Sequence, residues 1–248
     1  MTRHVVVEMG RRDVLRLAGT TLAAALAPLP ILAQVAPPLK IGMIGAGREG
    51  SALGALWAKA GHPVMFSSRH PDALKSLVDS IGPAAQAGTV EQAVAFGDVV
   101  AIIVPYTAMQ QIGKDYGPAL AGKVLVMDVS NPSAGRDGEA IVKWVAEQGG
   151  AGLATAKLLP GAKIVRAFNA LGYTRLAEDA HRPGDPVGVP IAGDDKTAIA
   201  VASSLIREIG FEPVLVGGLA MGKYLVPGTP FGREPTPAEI KQIAATLH

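Results

Sequence analysis

The stretch Leu39-Lys40-Ile41-Gly42-Met43-Ile44-Gly45-Ala46-Gly47-Arg48-Glu49-Gly50 limits what this chain can fold into more than any other. An apolar strand runs into Gly45-x-Gly47-x-x-Gly50, and a helix-forming run, Ser51 to Ala60, follows at once. In a dinucleotide-binding turn the first glycine permits the tight bend. The second admits a pyrophosphate to the backbone, and the third lets the helix pack on the strand. Free N–H groups and the positive dipole end of the helix then hold the anion. A glycine triplet alone is a weak signal; its place between strand and helix is the context that confirms it. The competing reading is a glycine-rich turn that holds no ligand.

At 248 residues, one large domain or two small ones would fit. Ala, Gly, Val and Leu dominate, as buried parallel strands and their covering helices demand. A net charge of +2 with no Lys/Arg block leaves no footprint for nucleic acid or an anionic membrane surface. The absence of cysteine excludes disulfides, thiolate catalysis and Cys-ligated metal, and no metal site is expected.

Residues 1–34 read as separate from the fold. Arg3, His4, Arg11, Arg12 and Arg16 make a basic start, Leu17 to Leu32 is mildly apolar, and Ala33 offers a small residue for cleavage. Gly10-Arg11-Arg12-Asp13-Val14-Leu15-Arg16 resembles a twin-arginine export signal. The expectation is a periplasmic protein; the alternative is a disordered or amphipathic extension on a cytoplasmic one. The apolar run is shorter than the ~20 residues that span a bilayer, so no permanent membrane span is expected. Residues 35–38 then form a linker, and 39–248 form one domain.

Beyond the glycine turn, strands are expected at Pro63 to Phe66, weakly at Ala84 to Gly88, and at Asp98 to Pro105 and Lys123 to Val129. Helices are expected at Pro71 to Ile81, from Thr89, and at Thr107 to Tyr116. In the second half, helices follow Gly135 and run from Ala151 to Leu159. Strands lie at Lys163 to Phe168, Val187 to Ala192 and Glu212 to Val216. Asp195 caps a helix from Lys196 to Ile209, and Thr236 opens a last helix with a capping box. This alternation predicts a Rossmann-type, doubly wound, mainly parallel α/β sheet, one domain with C-terminal sheet and helix additions.

Cofactor choice turns on the end of the second strand. NAD sites carry an acidic residue there for the ribose 2′-hydroxyl. This chain has Ser67-Ser68-Arg69-His70 instead. Ser68 can hydrogen-bond a 2′-phosphate and Arg69 can pair with it through its planar fork, so NADP is expected. The bland alternative makes Arg69 a solvated loop residue. Asn131, at the end of the fifth strand, is suited either to the ribose or nicotinamide amide or to capping the next segment.

Taken as a set, Ile41-Gly42-Met43-Ile44-Gly45-Ala46-Gly47 with Gly50, Ser67-Ser68-Arg69, Val104-Pro105, Asp128-x-x-Asn131-Pro132 and Val165-Arg166-Ala167-Phe168-Asn169 resemble the deazaflavin (coenzyme F420)-dependent NADP oxidoreductase family, related to the reductase domain of the STEAP metalloreductases. Gly193-Asp194-Asp195, Gly210-Phe211-x-Pro213-Val214 and Gly217-x-Leu219 extend the likeness to residues 39–227. The resemblance implies NADP at Ala46 to Glu49, at Ser68 and Arg69, and beneath Val104-Pro105. It implies a deazaflavin or flavin acceptor over the nicotinamide near Asn131 and Asn169. This chain has Ala73 where the family often has lysine, and Val226 where relatives commonly have glutamate.

Hydride transfer to a flavin-like ring needs alignment and exclusion of water more than an acid or base. The sequence shows no Ser/His/Asp set and no HExxH. His62 and His181 read as surface residues, and no catalytic base is assigned. Arg166, Lys223 and Tyr224 could meet an acidic or phenolic acceptor, or serve as solvated or packing residues. Three readings stand: an NADP-dependent oxidoreductase passing hydride to a small flavin-like acceptor, a pyrroline-5-carboxylate reductase-like enzyme of small imines or carbonyls, and a non-catalytic dinucleotide-binding protein. The second calls for a long helical dimerisation domain where strands resume here, at Val165 and Val187. A homodimer is compatible with any of them.

Overall fold

In the computed structural model of the chain, residues 37–233 and 235–247 are described. The expected export signal, 1–34, and the first half of the expected linker lie outside the described residues. From β1 (Ile41–Ile44) the chain runs through α1 (Arg48–Lys59), β2 (Val64–Ser67), α2 (Lys75–Ile81), β3 (Ala85–Gly88), α3 (Val90–Phe96), β4 (Val99–Ile102), α4 (Met109–Ala121) and β5 (Leu125–Asp128). It continues through α5 (Ala134–Asp137), α6 (Glu139–Glu147), α7 (Ala151–Leu158), β6 (Ile164–Arg166), α8 (Tyr173–Asp179), β7 (Gly188–Gly193), α9 (Lys196–Glu208), β8 (Glu212–Gly217) and α10 (Pro237–Ala245).

The strands form one sheet in the order β3-β2-β1-β4-β5-β6-β7-β8. Every neighbouring pair is parallel except β6 and β7. Strands β1, β4 and β5 are buried throughout, which their continuous apolar runs require. Alternation along each strand splits the core in two. Met43, Met127 and Val165 face Leu53, Trp57, Leu205 and Phe211 on one side. Ile44, Ile102, Val126 and Ile164 face Met109, Leu120, Val145 and Leu159 on the other.

The predicted caps form. Thr89 and Gln92 close a capping box on α3, Asp195 accepts from the Ala198 N–H, and Thr236 and Glu239 close a box on α10. Three expectations change. The helix expected from Pro71 begins as a 3-10 turn, Pro71–Leu74, before α2. Helix α4 runs on to Ala121 through the exposed Pro118, on a side where the carbonyl freed by proline can be hydrated. Helix α8 answers to no expected element: it is seven residues long with one fully buried apolar anchor, Leu176, too short to display a period. Arg175 braces it through ion pairs to Glu178 (2.7 Å) and Asp179 (3.1 Å).

His62 is not a surface residue. It is 6% exposed, with Nδ1 2.9 Å from the Leu39 carbonyl and Nε2 2.5 Å from Glu208 Oε2. It ties the entry to β1 to the end of α9, a structural role.

Candidate functional site

The strand order reverses at β1: its neighbours are β2 on one side and β4 on the other, and Ile44 pairs with both Ser67 and Ile102. Ligands of open α/β sheets bind in the crevice at such a switch point. The three glycines of the turn divide the work there. Gly45 has φ +110°, and a Cβ on it would lie 2.1 Å from the Ile103 carbonyl. A Cβ on Gly50 would lie 2.0 Å from the Gly45 carbonyl. A Cβ on Gly47 would meet no protein atom within 4 Å. Gly45 and Gly50 therefore serve packing, and Gly47 keeps open the side that faces the crevice.

A cavity of about 430 Å³ fills this crevice. It gathers Gly47, Arg48, Glu49 and Gly50 from the turn, Val104 and Pro105 from the exit of β4, Asn131 from the exit of β5 and Asn169 from the exit of β6. These expected site residues, scattered over more than a hundred positions of sequence, meet around one space. Gly45 and Ala46 lie behind its wall and shape the turn. Ser68 and Arg69 are not among its lining; they emerge from β2 at the same sheet edge, one strand over from Gly45. Ser68 Oγ accepts the His70 N–H at 3.0 Å, and Arg69 is exposed.

Glu49 sits in the first turn of α1. Burial pushes its carboxyl up to about 7, against the pull of a hydrogen bond from the Tyr173 backbone N–H. Its Oε1 is buried with no hydrogen-bond partner among the described residues. A group half neutral near pH 7 opposes a phosphate less than an ordinary carboxylate would. Arg48 Nη1 lies 3.4 Å from the Tyr173 hydroxyl, with the guanidinium 5.6 Å from the ring centroid. Tyr173, the first residue of the helix α8 that the sequence did not reveal, thus meets both Arg48 and Glu49 beside the glycine turn.

The end of the cavity at Asn131 and Asn169 rests on a buried ionic cluster. Arg166 and Asp128 are Cα partners across the β5–β6 ladder, both fully buried, with Nη1 2.6 Å from Asp128 Oδ2. Thr155 donates to the same oxygen at 2.7 Å, and Tyr106 joins through Thr155 at 3.0 Å. Burial, reinforced by the Asp128 charge, pushes the Tyr106 hydroxyl up to about 12. Arg166 then reaches outward: Nη1 donates to the Ser130 carbonyl (3.1 Å) and Nη2 to Asn131 Oδ1 (3.0 Å). Asn131 Nδ2 donates to the Asn169 carbonyl at 2.6 Å, and Asn169 Nδ2 to the Asp128 carbonyl at 3.1 Å. Asn131 is thus locked into the cavity wall; Ser133, not Asn131, occupies the N-cap position of the next helix. Arg166 is neither an acceptor contact nor a solvated residue but the post that holds Asn131. Asn169 is 4% exposed and its Oδ1 has no partner among the described residues.

Phe168 holds a left-handed φ of 61°, unusual for a bulky residue. Its ring is gripped edge-on by Trp57 (6.4 Å) and Phe211 (5.8 Å), which sustains the strain and turns the chain so that Asn169 enters the cavity. Sequence reasoning passed over Arg136, Ser130, Pro227 and the 170–172 loop as wall residues. None carries a local signal; each is placed by where its loop crosses the sheet edge.

Residues 40–132 match the family described as coenzyme F420-dependent NADP oxidoreductase. No curated protein matches the sequence. Among solved structures, a hypothetical protein from Sinorhizobium meliloti is 29% identical, covers 80% of this chain and 95% of its own, and superposes with a TM-score of 0.66. A candidate F420-dependent NADP reductase from Arthrobacter sp. is 19% identical over 75% of this chain and 87% of its own, with a TM-score of 0.59. An imine reductase from Myxococcus stipitatus is 18% identical over 85% of this chain, with a TM-score of 0.54; the chain spans 62% of that protein. The last two are likenesses of fold. Over residues 40–132, where the glycine turn and the walls at Val104-Pro105 and Asn131 lie, the chain is similar to the coenzyme F420-dependent NADP oxidoreductase family.

Proposed function

We propose that this protein binds NADPH along the crevice and reduces a flavin-like or deazaflavin acceptor lying against the nicotinamide. The observation that carries the reading is the single cavity joining the glycine turn to Asn131 and Asn169, a phosphate end and a ring end in one cleft. The residues fit the nucleotide: Gly47 leaves its side of the cleft open, and the orphaned, buried Asn169 Oδ1 is an acceptor suited to a carboxamide N–H. When bound, the nicotinamide supplies the hydride. The protein's part is to bind, orient and exclude water. Among the described residues the titratable side chains on the cavity wall are Arg48, Glu49 and Arg136, and Glu49 sits at the glycine turn. Among the described residues the end at Asn131 and Asn169 thus presents no proton donor of ordinary acid–base strength, which suits a flavin-like acceptor better than a carbonyl.

The test is stopped-flow loss of NADPH absorbance with a deazaflavin, FMN and FAD, then with small imines and aldehydes. Turnover with a flavin or deazaflavin supports the proposal. Turnover with imines or aldehydes alone would replace it by an imine or carbonyl reductase. Tight NADPH binding with no turnover would leave a non-catalytic binding protein.

The choice of NADP over NAD rests on Ser68 and Arg69 at the β2 edge. Losing a two-pronged, charge-assisted contact to a 2′-phosphate costs roughly 1.5–3 kcal/mol, or about ten- to a hundredfold in affinity. Arg69→Ala is therefore expected to weaken NADPH by that factor and NADH hardly at all, by calorimetry. An equal loss for both nucleotides would take Arg69 out of the 2′-phosphate site.

The proposal includes export to the periplasm with the cofactor loaded first, since a twin-arginine route carries folded proteins. The basic start and mild apolar run of 1–34 support it. Changing Arg11 and Arg12 together to lysine is expected to hold precursor in the cytoplasm. Wild-type protein that fractionates with cytoplasmic markers and keeps Met1 would overturn this part.

A further inference from the structure

We infer that Glu49 receives the dinucleotide as a neutral acid: each NADPH bound at the glycine turn brings a proton onto the Glu49 carboxyl, and affinity falls as the solution turns basic. The inference rests on the reading that the pyrophosphate lies at this turn. Gly47 is the N-cap of α1, so Glu49 is the second residue of the helix, and it lines the cavity whose side Gly47 leaves open. The N–H groups of this first turn are the donors that a phosphate would use. An ionised carboxylate in the same place competes for them and repels the phosphate. The protonated carboxyl does neither, and its O–H can donate to a phosphate oxygen.

The surroundings hold the ionised form poorly. The Tyr173 N–H reaches the carboxyl, while Oε1 is buried with no hydrogen-bond partner among the described residues. Helix α1 packs on β1, β2, α2 and α8. Strands β1 and β2 carry no titratable side chain. On α2, Lys75 is paired with Asp79 at 2.7 Å. On α8, Arg175 is paired with Glu178 and Asp179, and the Tyr173 ring lies under the Arg48 guanidinium. Across the cleft Arg136 is held by the buried Asp137 at 2.9 Å, and Arg69 and His70 stand exposed after β2. Among the described residues Glu49 thus has no ion-pair partner of its own. The helix dipole favours the ionised form, yet desolvation outweighs it and the carboxyl stands at about 7. A pyrophosphate arriving beside it adds negative charge and carries the same group further up. The sign follows: below the free value both states hold the proton and pH has no effect. Above it, binding must take the proton from solution and weakens as pH rises.

Calorimetric titration of the full chain with NADPH, repeated in buffers of different ionisation enthalpy, counts the proton. Near pH 7.5 the wild type is expected to take up roughly half a proton more per nucleotide than Glu49→Gln, which copies the neutral acid in shape and charge. The two Kd values should agree near pH 6 and separate above it, until Glu49→Gln binds about tenfold more tightly near pH 8.5. The 2′-phosphate titrates near pH 6 and contributes alike to both proteins, so their difference isolates Glu49. A merely structural Glu49 would shift affinity equally at every pH. Parallel Kd profiles with equal proton counts would overturn the inference and leave nucleotide binding in place. No binding by either protein at any pH would overturn the binding reading as well. Should Glu49→Gln fail to fold, the wild-type proton count with NADH, which has no 2′-phosphate, decides: uptake near pH 7.5 supports the inference and its absence overturns it.

Discussion

Gly47→Val is expected to lower NADPH affinity by at least a hundredfold, about 2.7 kcal/mol, while the fold survives. Gly47 is the N-cap of α1 with φ −73° and ψ −170°, an extended conformation that valine adopts readily. A Cβ there touches no protein atom within 4 Å, so the valine has room in the folded chain and stands where a pyrophosphate would approach the backbone. Calorimetry should show binding lost, with thermal unfolding in the absence of nucleotide close to wild type. Gly50→Val is the contrast: its Cβ falls 2.0 Å from the Gly45 carbonyl, so the turn must break and the fold with it. A Gly47→Val protein that binds NADPH normally would move the pyrophosphate away from this turn.

The largest effect on stability is expected at Asp128. Asp128→Ala leaves the Arg166 guanidinium buried and uncompensated, and removes the acceptor for Thr155. Breaking a buried pair in this way costs about 3–5 kcal/mol, which for a domain of this size lowers Tm by roughly 6–20 °C. The stranded charge, more than the lost attraction, carries the penalty. The double change Asp128→Leu with Arg166→Met should therefore recover most of the stability. It should not recover NADPH oxidation, because Asn131 and the Ser130 carbonyl lose the guanidinium that positions them. Differential scanning calorimetry and the NADPH assay separate these outcomes. A shift of a degree or two for Asp128→Ala would show that the pair is not closed in solution.

The parts of this protein that could be read from the chain alone obey local rules. The Gly45-x-Gly47-x-x-Gly50 turn, the Thr89, Asp195 and Thr236 caps and the continuous apolar runs of β1, β4 and β5 each state their requirement within a few neighbouring residues. That sufficed to place Gly47, Glu49, Val104, Pro105, Asn131 and Asn169 at carboxyl ends of strands and turns, the edge where a ligand binds. It did not suffice for α8, whose single fully buried leucine shows no period, nor for His62, whose partner Glu208 lies 146 positions away.

The sequence by itself determined the alternation of strands and helices and the glycine turn, because backbone freedom and apolar patterning are written residue by residue; the strand order and its reversal at β1 came from the tertiary structure. The tertiary structure alone decided what Arg166, Arg136 and Phe168 do. Arg166 meets Asp128 only because the β5–β6 register sets them side by side across 38 positions. Phe168 keeps its left-handed turn only because Trp57 and Phe211 close on its ring from distant elements. A charged or aromatic side chain on a short strand or turn carries no mark of its partner; the partner is chosen when distant elements close on one another, and that closure is paid for by the apolar core rather than by the polar groups it brings together.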